Sequence, residues 1–166
     1  MFWFKRKLNR DVANTEYVSW RNSIGNAMFH VMNTDKIPDD SGVAIEYSIP
    51  GSGKRIDFII RGQDERNQEK VVIIELKQWT DIQITEKDAI VLTPLKQGLC
   101  EQPHPSYQAW SYSTLLQGFN TTVYEERIGL EPCAYLHNHT DKNVIRNSFY
   151  SDYLQKAPAF CKGDKE

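Results

Sequence analysis

An acid and an amine stand one residue apart at the end of an aliphatic run. Residues 71–79 read VVIIELKQW, so four branched aliphatics lead directly into Glu75, Leu76 and Lys77. A run without polar alternation belongs to a strand covered on both faces. Side chains alternate along a strand, which puts Glu75 and Lys77 on one face, ~7 Å apart. Upstream, RIDFIIRG carries Asp57, and the polar loop QDERNQE that separates the two strands is nearly symmetric about Arg66. A hairpin centred on Arg66 sets Asp57 opposite Glu75, where directly opposed Cβ atoms are ~5 Å apart. Asp57, Glu75 and Lys77 then meet on one patch, and a slip of one residue would separate them.

Two carboxylates held that close repel, and one tends to keep its proton unless something compensates. A hard divalent cation removes the conflict: Mg²⁺ takes oxygen ligands at ~2.1 Å and retains several waters. Asp57 and Glu75, with water and a phosphate oxygen, make a reasonable Mg²⁺ (or Mn²⁺) site. Such a cation polarises phosphorus and acidifies bound water. Lys77 is then placed to orient that water or to offset charge developing on the phosphate.

The surrounding elements must bring these groups together. Residues 15–32 read as a helix, with Tyr17, Val18, Trp20, Ile24, Ala27, Met28 and Val31 at three- and four-residue steps, Asn14 or Thr15 as cap and Glu16 in the first turn. GVAIEYSIP alternates as a strand, GSGK turns, and RIDFIIRG and KVVIIELKQW follow as two more strands. DAIVLTPL suggests a short strand and KQGLCEQ a loop. A helix is expected over HPSYQAWSYSTLLQGF, with Pro105 in its first turn and Gly118 at its end. EPCAYLHNH reads as one more strand and NSFYSDYLQKAP as a closing helix stopped near Pro158. The expected fold is α/β, a mixed sheet with helices on both sides.

The totals constrain function. The 166 residues suit one domain, 40% hydrophobic and 25% charged, with a formal charge of −2. A protein gripping long nucleic acid by charge alone is usually basic, so any such role must be local, metal-assisted or shared with another domain. Cys100, Cys133 and Cys161 are odd in number and far apart, which argues for a reducing compartment rather than a disulfide framework. The start, MFWFKRKL, has the reverse order of a signal peptide, and no segment approaches the ~20 apolar residues of a membrane span. A cytoplasmic protein without membrane attachment is expected; the oligomeric state is open.

Asp57 in RIDF with Glu75 and Lys77 in IELKQ resembles the PD-(D/E)xK nuclease superfamily, where an Asp on the second strand and a Glu-x-Lys on the third form the metal site. The family's Pro before the Asp is Ile56 here. Gln108 and Tyr112, four apart in YQAWSY and so on one helical face, resemble the Gln-x-x-x-Tyr element of RecB-like members. The stretches IEYSIPGSGKRIDFII, VVIIELKQW, HPSYQAWSY and PCAYLHN are together similar to the amino-terminal region of bacterial proteins that continue into a Schlafen-type superfamily 1 DNA/RNA helicase, over roughly residues 15–164. No GxxxxGK[ST] loop occurs in these residues.

The resemblance implies a three-layer αβα sandwich of the restriction-endonuclease type, with an α-β-β-β-α-β core. It implies a tail at residues 1–14, a nuclease-like domain at 15–160 and the start of a linker at 161–166. It further implies Mg²⁺-dependent hydrolysis of DNA, or RNA, with a carboxy-terminal helicase domain as partner. Gln108 would hold water or phosphate, and Tyr112 would support it or stack on a base; a solvated helix residue and a half-buried core aromatic are the plain alternatives. An inactive nucleic-acid-binding or docking module of the same fold is the alternative function, and a stand-alone defence-type nuclease a third.

Other residues stay open between two roles. Glu46 joins the metal patch only if the PGSGK turn sets it against Asp57; a shift of one puts Tyr47 there. Glu16 matches the first-helix acid of related nucleases, or simply favours a helix amino terminus. Lys54 and Arg55 suit a phosphate or a surface charge pair. His104 faces substrate or ends a loop. His137 and His139, on one strand face near Cys133, match no zinc spacing.

Overall fold

The structure is a computed structural model and describes residues 37–164, together with Gly25, Met28 and Met32. The expected helix over 15–32 and its Glu16 therefore lie outside the described residues, apart from those isolated positions. The chain divides into two units, residues 1–35 and 36–166, where the sequence suggested a tail at 1–14 and one domain from residue 15. The fold is described for the second unit.

Strand β1 (Gly42–Ser48), β2 (Arg55–Gln63) and β3 (Glu69–Lys77) form an antiparallel meander. Gly51 and Gly53 take positive φ in the β1–β2 turn, a conformation open to glycine without a Cβ penalty. The β2–β3 loop closes on Asp64: its Oδ1 accepts from the amides of Arg66 and Gln68. Pairing runs Gln63 to Glu69, Arg61 to Val71, Ile59 to Ile73 and Phe58 to Ile74. The hairpin is therefore centred on Arg66, as the symmetric loop predicts.

Three short strands follow, β4 (Gln83–Ile84), β5 (Ile90–Leu95) and β6 (Gly98–Pro103), which make a separate small antiparallel sheet. The KQGLCEQ stretch, expected as loop, is thus largely strand: Leu95 pairs Gly98 across a two-residue turn, with Gly98 at φ 111°. β6 is mostly exposed, so it has no apolar alternation by which to be read.

Helix α1 (Pro105–Phe119) comes next, then short α2 (Thr121–Glu125) and β7 (Gly129–Leu136). Gly118 lies inside α1; Asn120 caps its carboxy end and the start of α2. β7 runs parallel to β3, which a crossover of this length permits and a tight turn would not. Helix α3 (Lys142–Ile145), a 3₁₀ turn (Ser148–Tyr150) and α4 (Ser151–Lys156) lead to β8 (Ala159–Cys161), parallel to β7. The large sheet is five-stranded and mixed, in the order β1-β2-β3-β7-β8. The molecule is α/β.

β3 lies mid-sheet, which explains its aliphatic run. One face carries Ile59, Val71 and Ile73 against Tyr112 and Leu116 of α1. A second core joins Ala134, Leu136, Ile145, Tyr150, Ala159 and Cys161 to Val91 and Ile82. Each fully buried aliphatic contributes about 2 kcal/mol over leaving it exposed. Helix α1 therefore covers the face on which β3 must also present Glu75 and Lys77.

Residues 161–164, expected to begin a linker, are tied into this unit. Cys161 pairs Leu136, and the Asp164 carboxylate accepts from the Cys161 amide at 2.7 Å and bridges Lys142 and Arg146. Arg146 also donates to the Ala159 carbonyl at 2.9 and 2.7 Å. Asp164→Ala is expected to cost about 1–3 kcal/mol, read as a lower urea midpoint.

Candidate active site

The β2–β3 ladder ends at Phe58–Ile74, and the next residues by count are Asp57 and Glu75. The strands stop pairing here. The Leu76 amide donates to Asp57 Oδ2 at 2.8 Å rather than to a backbone carbonyl of β2. β3 keeps its parallel pairing with β7 through Lys77, so one side of the strand stays rigid while the other opens around the carboxylates.

Lys77 Nζ donates to Glu75 Oε1 at 2.7 Å and to Gln108 Oε1 at 3.0 Å. Gln108 Nε2 donates to the Tyr112 hydroxyl at 2.8 Å. Lysine has only donors, so the amide oxygen of Gln108 must face it and the amide nitrogen must face Tyr112. The Trp79 ring lies 5.1 Å from Lys77 Nζ, within cation–π range. All five residues expected at the catalytic centre, Asp57, Glu75, Lys77, Gln108 and Tyr112, thus form one connected cluster under α1.

The Tyr112 hydroxyl supports Gln108 by a hydrogen bond, one of the two roles the sequence offered for it. Gln108 holds Lys77 by one end and Tyr112 by the other, so it acts as a positioning residue. Tyr112 is buried, and that burial, with the Glu75 charge, raises its hydroxyl's pKa; the phenol stays neutral. For the nuclease that the sequence resemblance implies, Tyr112→Phe is expected to lower turnover about tenfold by loosening Gln108, while stability changes by no more than about 1 kcal/mol. Steady-state kinetics with a parallel urea titration separates the two effects.

The carboxylates carry the stored electrostatic cost. Glu75 is 2% exposed, and its Oε2 has no donor. Burial pushes its carboxyl up to about 7, with Lys77 pulling the other way and the Asp57 charge adding to the rise. Burial likewise raises Asp57, against the Leu76 amide, Lys77 and Arg55. A donorless buried oxygen beside a second strained carboxyl suits a hard cation, which prefers such oxygens and brings its own waters. Among the described residues no three His, Cys, Asp or Glu side chains cluster as a metal site, so a cation here would rest on Asp57 and Glu75.

The remaining expectations divide. Glu46 falls opposite Asp57, between the pairs Ile45–Phe58 and Tyr47–Ile56, but its Oε2 lies 3.0 Å from Arg55 Nη1. Lys54 is exposed. His104 does not face substrate. It is fully buried and caps α1: the Ser106 amide donates to Nδ1 at 3.2 Å, Nε2 lies 2.9 Å from the Ile145 carbonyl, and the ring packs on Tyr150. His137 and His139 are not on a strand face, because β7 ends at Leu136; His139 is buried against the Thr80 carbonyl. The backbone opening at Leu76 had no signal in the sequence.

No protein-family model, curated protein or solved structure matches the chain. Among the described residues no helix is long and apolar enough to cross a membrane.

Proposed function

We propose that this chain is a metal-dependent nuclease domain that hydrolyses phosphodiester bonds of DNA, or RNA, on a fold of the restriction-endonuclease type. The observation that carries the reading is the hydrogen-bonded convergence of Glu75, Lys77, Gln108 and Tyr112 beside Asp57. The chemistry a bound Mg²⁺ or Mn²⁺ supplies is polarisation of the phosphodiester and acidification of water. Asp57 and Glu75 would hold that cation. Lys77 carries its ammonium to the edge of the carboxylate pair, where it can orient a water or meet charge on a phosphate oxygen. Gln108 and Tyr112 fix the Lys77 rotamer. The same sequence resemblance supports a helicase motor as the domain's partner in a longer protein.

The test is cleavage of plasmid and single-stranded DNA and of RNA, with Mg²⁺, with Mn²⁺ and with EDTA. A second reading, a binding or docking module without activity, is favoured by one observation: Lys77 and Gln108 already close over an almost fully buried Glu75. Calorimetric titration with Mn²⁺ separates the readings. Metal binding that Asp57→Asn abolishes supports the nuclease; absence of binding supports the module.

A further inference from the structure

We infer that Trp79 is a positioning residue that seats the Lys77 ammonium against its indole face. The inference rests on the nuclease reading for its kinetic consequence. Lys77 Nζ lies 5.1 Å from the centroid of the Trp79 ring and donates to Glu75 Oε1 and Gln108 Oε1 at 2.7 and 3.0 Å. The Lys77 side chain is only 15% exposed, so its ammonium has given up most of its water. The carboxylate and the amide oxygen replace part of that hydration, and the ring face replaces a further part electrostatically. An ammonium has three donors. A second carboxylate in the place of the ring would take the third and hold it. A π face attracts the charge and leaves that donor able to turn to a water or a phosphate oxygen.

The way Trp79 is held gives the second observation. β3 and β7 pair in parallel as far as Lys77 and Leu136, so the residues that follow the two strands leave the sheet side by side. There Asn138 Nδ2 donates to the Gln78 carbonyl at 3.3 Å, and His139 Nδ1 lies 3.1 Å from the Thr80 carbonyl. A carbonyl only accepts, so His139 donates from Nδ1. The carbonyls on either side of Trp79 are thus both held from the β7 side, one of them by a buried histidine. The indole packs against the core built around Leu136 and Tyr150. An aliphatic side chain of similar volume would serve that core equally well, but it could not attract an ammonium. Asn138 and His139, which match no zinc spacing, hold the segment that carries this wall.

The experiment pairs fluorine NMR with kinetics. The 166-residue chain labelled with fluorinated tryptophan carries four reporters, one per Trp, and the resonance of Trp79 is the one that Trp79→Phe removes. In EDTA, Lys77→Met is expected to shift the Trp79 resonance and to leave that of Trp110, whose ring lies 4.1 Å from Lys156 Nζ. Lys156→Met does the opposite and serves as the control. This measurement keeps Trp79 in place, so it stands even where a Trp79 variant folds poorly. In Mg²⁺-dependent cleavage, Trp79→Leu is expected to lower kcat about tenfold and to change KM by less than about twofold, since the ring touches Lys77 rather than substrate. Trp79→Phe, which keeps a π face, recovers most of the rate, and Trp79→Leu adds no loss to Lys77→Ala. A Trp79 resonance indifferent to Lys77 overturns the inference, as does a folded Trp79→Leu with unaltered kcat or a Trp79→Phe no faster than Trp79→Leu. A resonance that answers to Lys77 in a chain that cleaves nothing leaves the seat standing and removes the nuclease reading. Cleavage with an indifferent resonance does the reverse.

Discussion

On the proposed nuclease reading, Glu75→Ala and Lys77→Ala are each expected to reduce Mg²⁺-dependent cleavage by at least about a thousandfold, the scale set by removing one preorganised charge or donor at a reacting phosphate. The two losses are not additive, because the Lys77 ammonium is held by Glu75 at 2.7 Å and acts with it as a unit. Glu75→Gln makes the sharper test. It removes a buried negative charge, keeps an oxygen for Lys77, and replaces the partnerless Oε2 by an amide N–H from which the neighbouring Asp57 carboxylate can accept. In EDTA this variant should be more stable than the unaltered chain by about 1 kcal/mol, since an unsatisfied buried acceptor costs about that much, and yet be inactive. A gain in urea midpoint with lost cleavage marks a residue retained for chemistry at the expense of the fold. A less stable and still active Glu75→Gln would sink the assignment of Glu75 to the catalytic centre.

The second large effect lies at His104. Its Nδ1 accepts from the Ser106 amide and its Nε2 faces the Ile145 carbonyl; a carbonyl only accepts, so Nε2 must carry the proton and Nδ1 must lack one. Protonating Nδ1 breaks the cap of α1 and buries a cation against Tyr150. Burial accordingly lowers the imidazole's pKa to about 4, with the Ile145 carbonyl opposing. The folded value lies below the unfolded one, so the unfolded chain binds the extra proton first. The stabilisation is whole above pH 6.5 and is lost as pH falls toward about 4. The loss amounts to about 3 kcal/mol. Glu75, held up to about 7, takes up its proton over the same interval and stabilises the fold as pH falls, so the His104 loss is read as the difference in urea midpoint between the unaltered chain and a His104 variant at stepped pH. His104→Asn, which can still cap a helix, should gain in midpoint relative to the unaltered chain as pH falls from 6.5 toward about 4. A midpoint that follows pH identically in the unaltered chain and in His104→Asn would reject the cap as the source of the loss.

Much of the site can be read along the chain because it depends on local periodicity. Alternation puts Glu75 and Lys77 on one face, and the loop symmetry about Arg66 brings Asp57 across from them; both follow from strand geometry. The four-residue spacing of Gln108 and Tyr112 likewise needs only a helix. Glu46 was legible as far as its register opposite Asp57, but its left-handed backbone, φ 51°, was not, since strand alternation carries no signal for it.

The residue order by itself determined the α/β class, the meander, and the shared face of Asp57, Glu75 and Lys77. Only the tertiary structure decided that the β2–β3 ladder opens at Leu76, that Gln108 grips Lys77, that His104 is a buried cap, and that β6 and β8 are strands. The physical reason is range. Periodicity reports which face a side chain takes within its own element, whereas an amide or imidazole finds its partner among groups that lie far away along the chain, and nothing near it in the sequence names that partner.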